Sequence, residues 1–203
     1  MKIINACYSI ETPIDGAEIL KRIEKAGRTC YKSEDRITEE SAEAFVRMLI
    51  ERGHESVLEH ESITVRFVCD RGISHEIVRH RLASYSQESQ RYVRYNGDIE
   101  FINPRMPNAK AYEAWQELCE RAEETYKELL SHGVQPQQAR SVLPNSVKTE
   151  LVMTANLREW RHFLKLRTAK AANPQMRELT VPLLHELQEQ IPVVFDDIKE
   201  DNI

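Results

Sequence analysis

Between Ser74 and Tyr95 the chain reads SHEIVRHRLASYSQESQRYVRY, with four arginines (Arg79, Arg81, Arg91, Arg94), two histidines (His75, His80), four serines (Ser74, Ser84, Ser86, Ser89) and three tyrosines (Tyr85, Tyr92, Tyr95). Guanidinium forks, hydroxyls and backbone N–H groups in one short segment are the parts of a phosphate cradle. A helix that ends near His80 would let the following chain turn and bring Arg79, Arg81, Ser84, Ser89 and Arg91 toward one ligand. A second basic block follows at Arg158, Arg161, Lys165, Arg167 and Lys170, with Glu159 as the single acid among them. On a chain of net charge -5, two local basic blocks suit a small anion better than a long polyanion.

Other chemistries fit these residues less well. HEIVRH has the ingredients of a zinc-protease helix, but His75 and His80 stand five apart, about 140° round a helix, and cannot hold one metal from one face. Ser89 lacks the G-x-S-x-G elbow and a neighbouring base, so its hydroxyl reads as a ligand contact rather than a nucleophile. The plain alternative for the arginines is a solvated helix end and polar loop. His54 and His60 read equally well as core or capping residues.

The elements that must position these groups are legible from periodicity and caps. KIINACYSI reads as a short strand, and DGAEILKRIEKAGRTCY as an amphipathic helix capped by Asp15. TEESAEAFVRMLIERG is a helix opening at Thr38 and Ser41 and stopping at Gly53. ESITVRFVCD alternates as a half-buried strand, and RGISHEIVRHR begins another helix. DIEFINP is strand-like up to Pro104. NAKAYEAWQELCERAEETYKELLSHG is a long helix stopped at Gly133, and QPQQARSVLP a short one ended by Pro144. SVKTELVMTA reads as a strand, NLREWRHFLKLRTAK as a helix capped by Asn156, and NPQMRELTVPLLHELQEQI as the last helix, with Pro174 at its start. The expected fold is α+β: a single mixed domain over residues 1–203, with helices packed around an antiparallel or mixed sheet.

At 203 residues and 41% hydrophobic the chain can bury a core. It shows no apolar run of the roughly 18 residues a membrane span needs and no signal-peptide core, and its four scattered cysteines form no C-x-x-C pair. A cytoplasmic protein with reduced thiols and no membrane partner is expected.

Arg79-His80-Arg81, seven residues, then Ser89 with Arg91-Tyr92 resembles the R-H-R-x7-S signature of the flavin-dependent thymidylate synthases. RGHESVLEH (52–60), ARSVLP (139–144) and NLREWRHFLKLR (156–167) resemble three further segments of that family, in the same order. Three positions depart from its common pattern: Glu76 stands where glutamine is usual, Gln87 where glutamate is usual and His162 where asparagine is usual.

The resemblance implies an enzyme that converts dUMP to dTMP, with FAD as cofactor and NADPH and methylenetetrahydrofolate as cosubstrates, in a homotetramer whose active sites are shared between chains. It implies flavin contacts for Ser56, Arg79, His80, Arg81, Gln87, Asn156, Arg158 and His162. It places Glu76, Ile77, Val78, Arg79, Gln87, Glu88, Ser89, Gln90, Arg91 and Arg140 at dUMP, and Arg167 at the pyrimidine as the catalytic residue. No metal and no nucleic acid partner is implied. The rival from another class is a noncatalytic nucleotide or RNA-binding module using Tyr85, Tyr92 and Tyr95 as stacking platforms. For Arg167 there is also a physical argument. Trp160, Phe163, Leu164 and Arg167 follow i, i+3, i+4, i+7, so this cation lies on the stripe that faces the core and needs an anionic or strongly polar partner.

Overall fold

Asp15 opens the first helix, its side chain accepting from the Glu18 amide at 3.1 Å, and α1 runs Gly16–Tyr31. The structure is a computed structural model that describes residues 1–200. KIINACYSI, expected as one strand, is two, β1 (Lys2–Ile4) and β2 (Cys7–Ile10). The break at Asn5 and Ala6 sends the two halves to different sheets. β1 pairs in parallel with β5 (Glu100–Ile102), with Lys2 opposite Glu100.

In β3 (Ser62–Asp70) Ile63, Val65, Phe67 and Cys69 are all buried, and in β6 (Lys148–Asn156) so are Thr149, Leu151, Met153 and Ala155. This period of two is what a strand with one covered face requires. With β4 (Ala83–Gln87) they form a four-stranded sheet in the order β2-β3-β6-β4. Thr64 bonds Thr154 at 2.9 Å and Arg66 bonds Glu150 at 3.2 Å, so β3 and β6 run in opposite directions. The chain is thus α+β with parallel and antiparallel pairings. β4 lies in a stretch to which the sequence reading gave no element: ASYSQ alternates half-buried and exposed residues, but with no branched apolar side chain to announce a strand.

The expected helices form. α2 spans Ser41–Glu51, and Gly53 ends it at φ 69°. Ser41 serves its start differently from a capping box, accepting from the Thr38 amide and donating to Glu24, each at 2.9 Å. α3 (Arg71–Ile77) is capped by Asp70 on the Ile73 amide at 2.7 Å. α4 (Ala109–Ser131) is capped by Asn108 and followed by Gly133 at φ 83°, and α5 is the single turn Pro136–Ala139. α6 (Leu157–Arg167) is capped by Asn156, and α7 (Pro174–Gln190) has Pro174 in its first turn. No helix among the described residues is long and apolar enough to cross a membrane.

Two compact units can be distinguished. The first comprises Met1–Cys7, Arg66–Arg79 and Tyr85–Val152, and its core holds Ile99, Phe101, Trp115, Cys119, Tyr126 and Val147. The second comprises Tyr8–Val65, His80–Ser84 and the described residues from Met153 onward. Its core holds Ile23 and Leu49 with Trp160, Phe163 and Leu164 of α6 and Leu183 and Leu187 of α7. A Cβ at Gly16 would stand 2.1 Å from the Gln190 carbonyl oxygen, so the start of α1 abuts the end of α7.

Candidate functional site

In the first unit α3 ends just before Val78, as the arginine-rich segment needs. Ile77 is fully buried, and its carbonyl accepts from the Tyr85 hydroxyl at 3.0 Å. Glu76 and Val78 are half-buried and Arg79 is exposed. Gln87, on β4, donates to Ser74 Oγ at 2.9 Å and to Thr149 Oγ1 at 3.2 Å. The amide suits this place because it can donate, where an ionised glutamate could only accept.

Glu88 accepts from the Tyr95 hydroxyl at 2.8 Å and from Lys148 Nζ at 3.2 Å, and Lys148 reaches Glu150 at 2.6 Å. Burial raises the Tyr95 phenol well above its ordinary value, and the Glu88 carboxylate adds to the rise. Burial works to lower Lys148, but Glu150 and Glu88 outweigh it and hold the ammonium charged. Arg66, Ser86, Gln87, Glu88, Lys148 and Glu150 line a cleft of about 480 Å³. Ser89 is half-buried, its Oγ taking the Arg91 amide at 3.3 Å, and Arg140 is exposed with Nε on the Gln137 carbonyl at 3.2 Å. Gln90 is buried and its Nε2 has no partner, a polar atom aimed where protein supplies nothing.

In the second unit α6 does most of the positioning. Leu82, Asn156, Arg158, His162 and Lys165 line a cleft of about 630 Å³ together with Glu55, Glu59, Glu159 and Arg161. Ser56 is exposed on the short turn Glu55–His60, and Arg81 is exposed as well. Asn156 is committed as a cap, accepting from the Glu159 amide at 2.9 Å.

Trp160, Phe163 and Leu164 are fully buried and Arg167 is half-buried, as the helical stripe required. A polar partner of Arg167 is His80, whose Nε2 accepts from the arginine Nε at 3.1 Å. A guanidinium can only donate, so His80 Nε2 must be the acceptor and Nδ1 carries the ring proton. That proton points to Glu159 Oε1 at 3.3 Å, with both side chains buried. Desolvation pushes His80 down to about 4, and Arg167 and His162 push the same way, so the ring is neutral at physiological pH. Burial also raises the Glu159 carboxyl, against an opposing pull from His162. The ligand atoms of His80, Glu159 and His162 lie within 4.8 Å of one another. With Arg167 donating to Nε2, the nitrogen facing Glu159 is a proton donor.

The second basic block differs from its sequence reading. Arg161 is 1% exposed and serves the fold: it grips Asp197 through both terminal nitrogens (2.6 and 2.9 Å), Glu55 through Nε and Nη2 (3.1 and 3.0 Å), and the Val194 carbonyl. Arg158 pairs with Glu59 at 2.6 Å and Lys165 with Asp197 at 3.5 Å. By contrast, Arg79, Arg81, Arg91 and Arg94 are exposed, and among the described residues none has a carboxylate partner. Sequence reasoning missed Glu159 and Lys148 as members of these networks. Glu159 stands three residues after its cap, where an acid reads as a capping box, and Lys148 lies in a strand whose neighbours are distant in sequence.

Comparison with known proteins completes the picture. Residues 14–193 match the family model described as thymidylate synthase complementing protein. The chain is 36% identical to the flavin-dependent thymidylate synthase of Pyrococcus furiosus, over 85% of this chain and 71% of the relative. It is 36% identical to that of Corynebacterium efficiens, over 98% and 86%, and 36% identical to that of Mycobacterium bovis, over 93% and 82%. With the family model spanning most of its length and three relatives from archaea and bacteria aligned over most of theirs, the chain belongs to the thymidylate synthase complementing protein family.

Proposed function

We propose that this chain is a flavin-dependent thymidylate synthase: a methyltransferase that makes dTMP from dUMP, with methylenetetrahydrofolate as carbon donor, FAD as cofactor and NADPH as reductant. The observation that carries this reading is the coincidence of family membership with unpaired arginines at the R-H-R-x7-S segment. The residues suit FAD. The cleft of about 630 Å³ is of small-molecule size, and its wall carries the donors Arg158, His162 and Lys165 beside the exposed apolar Leu82. The half-exposed Arg158–Glu59 pair is cheap to open for an anionic group. Bound flavin, reduced by NADPH, supplies the hydride that completes the methyl group.

The protein's own part is to bind, orient and polarise. We assign Ser56, Arg79, His80, Arg81, Gln87, Asn156, Arg158 and His162 to the cofactor. Glu76, Ile77, Val78, Arg79, Gln87, Glu88, Ser89, Gln90, Arg91 and Arg140 are assigned to dUMP, with the unpartnered Gln90 amide and the exposed Arg79 and Arg91 guanidinium groups as its natural donors. Arg167, held by His80, is the cation that stabilises negative charge on the uracil ring as it develops. We take residues 1–203 as one functional domain, since the chain passes from one compact unit to the other within β3, β4 and β6. The RNA-binding alternative loses support, because Tyr85 and Tyr95 are hydrogen-bonded within the fold and only Tyr92 of the three is freely exposed.

Purified protein should be yellow, or become so when FAD is supplied, and NADPH should bleach it faster with dUMP present. Absorbance spectra test this, and a colourless protein that cannot be reconstituted sinks the reading. We further infer a cytoplasmic homotetramer with shared sites and no nucleic acid partner. Light scattering should give four chains, and mixing inactive Arg79→Ala and Arg167→Ala proteins should restore part of the activity if those residues reach one site from different chains. A monomeric mass removes the sharing.

A further inference from the structure

The element that holds Arg167 is itself held. We propose that Glu159 is a positioning residue for Arg167, acting through His80: its carboxylate takes the Nδ1 proton, fixes the imidazole tautomer and so keeps Nε2 an acceptor for the guanidinium. The proposal rests on the assignment of Arg167 made above.

The geometry supplies each link. α6 brings both ends of the relay to one ring, Glu159 from its first turn and Arg167 from its last. Asn156 caps the helix on the Glu159 amide at 2.9 Å, which locks the first turn. The His80 ring is packed edge-on against Phe163, centroids 4.9 Å apart, so it cannot tumble to exchange its nitrogens without disturbing the core. At the far end the Thr180 hydroxyl donates to the Arg167 carbonyl at 2.8 Å, tying the last turn of α6 to α7. An imidazole free to choose would favour the other tautomer about as readily, and its Nε2–H would then face the Arg167 Nε–H, donor against donor. A buried carboxylate on Nδ1 removes that choice, the same logic by which a carboxylate orients a catalytic histidine. A purely structural acid at this position would need no particular tautomer and would tolerate loss of its acceptor.

The test compares the full-length parent with Glu159→Gln, which still accepts through its amide oxygen, and Glu159→Leu, which fills the space and accepts nothing. Histidine ring nitrogens are observed by isotope-edited NMR at neutral pH on the protein alone, and the His80→Gln protein identifies the His80 signal among the seven histidines. The parent and Glu159→Gln should show a neutral His80 with the proton on Nδ1. Glu159→Leu should shift it toward Nε2–H and lower kcat by about 10- to 100-fold, with KM for dUMP little changed, while Glu159→Gln keeps most of the parent kcat. A His80 proton on Nε2 in the parent overturns the proposal, as does a Glu159→Leu protein with parental tautomer and kcat. If Glu159→Leu does not fold, the parent tautomer and the Glu159→Gln protein decide alone, since loss of Nδ1–H or of activity in the latter contradicts the relay. Were the tautomers as expected in a protein that makes no dTMP, the proposed function would fall and the hydrogen-bond relay would stand.

Discussion

Arg167→Ala should lose dTMP formation by a factor on the order of 10² to 10³, the usual cost of removing one fixed group that stabilises charge growing in the transition state. The arginine is half-buried at the end of a helix whose other inward residues, Trp160, Phe163 and Leu164, are fully buried. Its Nε donates to His80, a neutral ring that adds no charge of its own beside the guanidinium. Truncation removes one hydrogen bond to the buried His80 Nε2, at about 1–3 kcal/mol. The protein should therefore melt somewhat earlier yet keep its fold and its flavin. Arg167→Lys should recover only part of the rate, because a point charge on a flexible stem replaces a planar fork whose Nε is already engaged. The rate of dTMP formation, flavin absorbance and melting temperature, taken together, check this. Parental turnover in a folded Arg167→Ala protein would end the assignment, and outright unfolding would mark the residue as structural.

Arg161→Met should instead destabilise the protein by about 3 kcal/mol, the lower end of the range for breaking a buried ion pair, because Asp197 is half-exposed and can recover solvent. In a chain of this size that is a fall of roughly 6–12 °C in melting temperature. The arginine is 1% exposed and satisfies Glu55, Asp197 and the Val194 carbonyl at once. Burial pushes the Asp197 carboxyl up, but the hydrogen bonds and charge of Arg161 outweigh it and hold the group below its ordinary value. Without Arg161 that restraint goes. Flavin affinity at permissive temperature should change little. Calorimetry showing an unaltered melting temperature, with flavin binding lost, would return Arg161 to the ligand site and restore the original reading of this block.

The two arginines differ in how far the sequence could see. Arg167 was legible because helical periodicity is local: three buried neighbours on one stripe predict an inward cation. Arg161 was misread as part of an anion site because its partners Glu55 and Asp197 lie 106 and 36 residues away. Charge patterning counts neighbours in sequence and cannot count partners in space. The strands β3 and β6 announced themselves through apolar residues at every second position, whereas β4 carries only small polar side chains and a tyrosine and gave no strand signal. The arginine-rich segment is legible by residue type, and its arginines have no carboxylate partner among the described residues, but Glu159 and Lys148 are not legible because each needs a partner from a distant element.

The contact at Gly16 has a consequence for how the chain is made. The first helix and the last meet there, with the Gln190 carbonyl filling the space a side chain would occupy. The second unit, to which both belong, draws on Tyr8–Val65, His80–Ser84 and the described residues from Met153 onward, whereas the first has all its residues once Val152 has been added. During vectorial synthesis the middle of the molecule can close its core while Ile19, Ile23 and the rest of α1 still wait for α7. That closure joins segments far apart in the sequence, and the loop entropy it must overcome works against it. Until residue 190 has left the ribosome, α6 lacks its neighbour α7, and Arg167 lacks the Thr180 tie that holds its turn. Arg167 is thus among the last parts of the molecule to take its place.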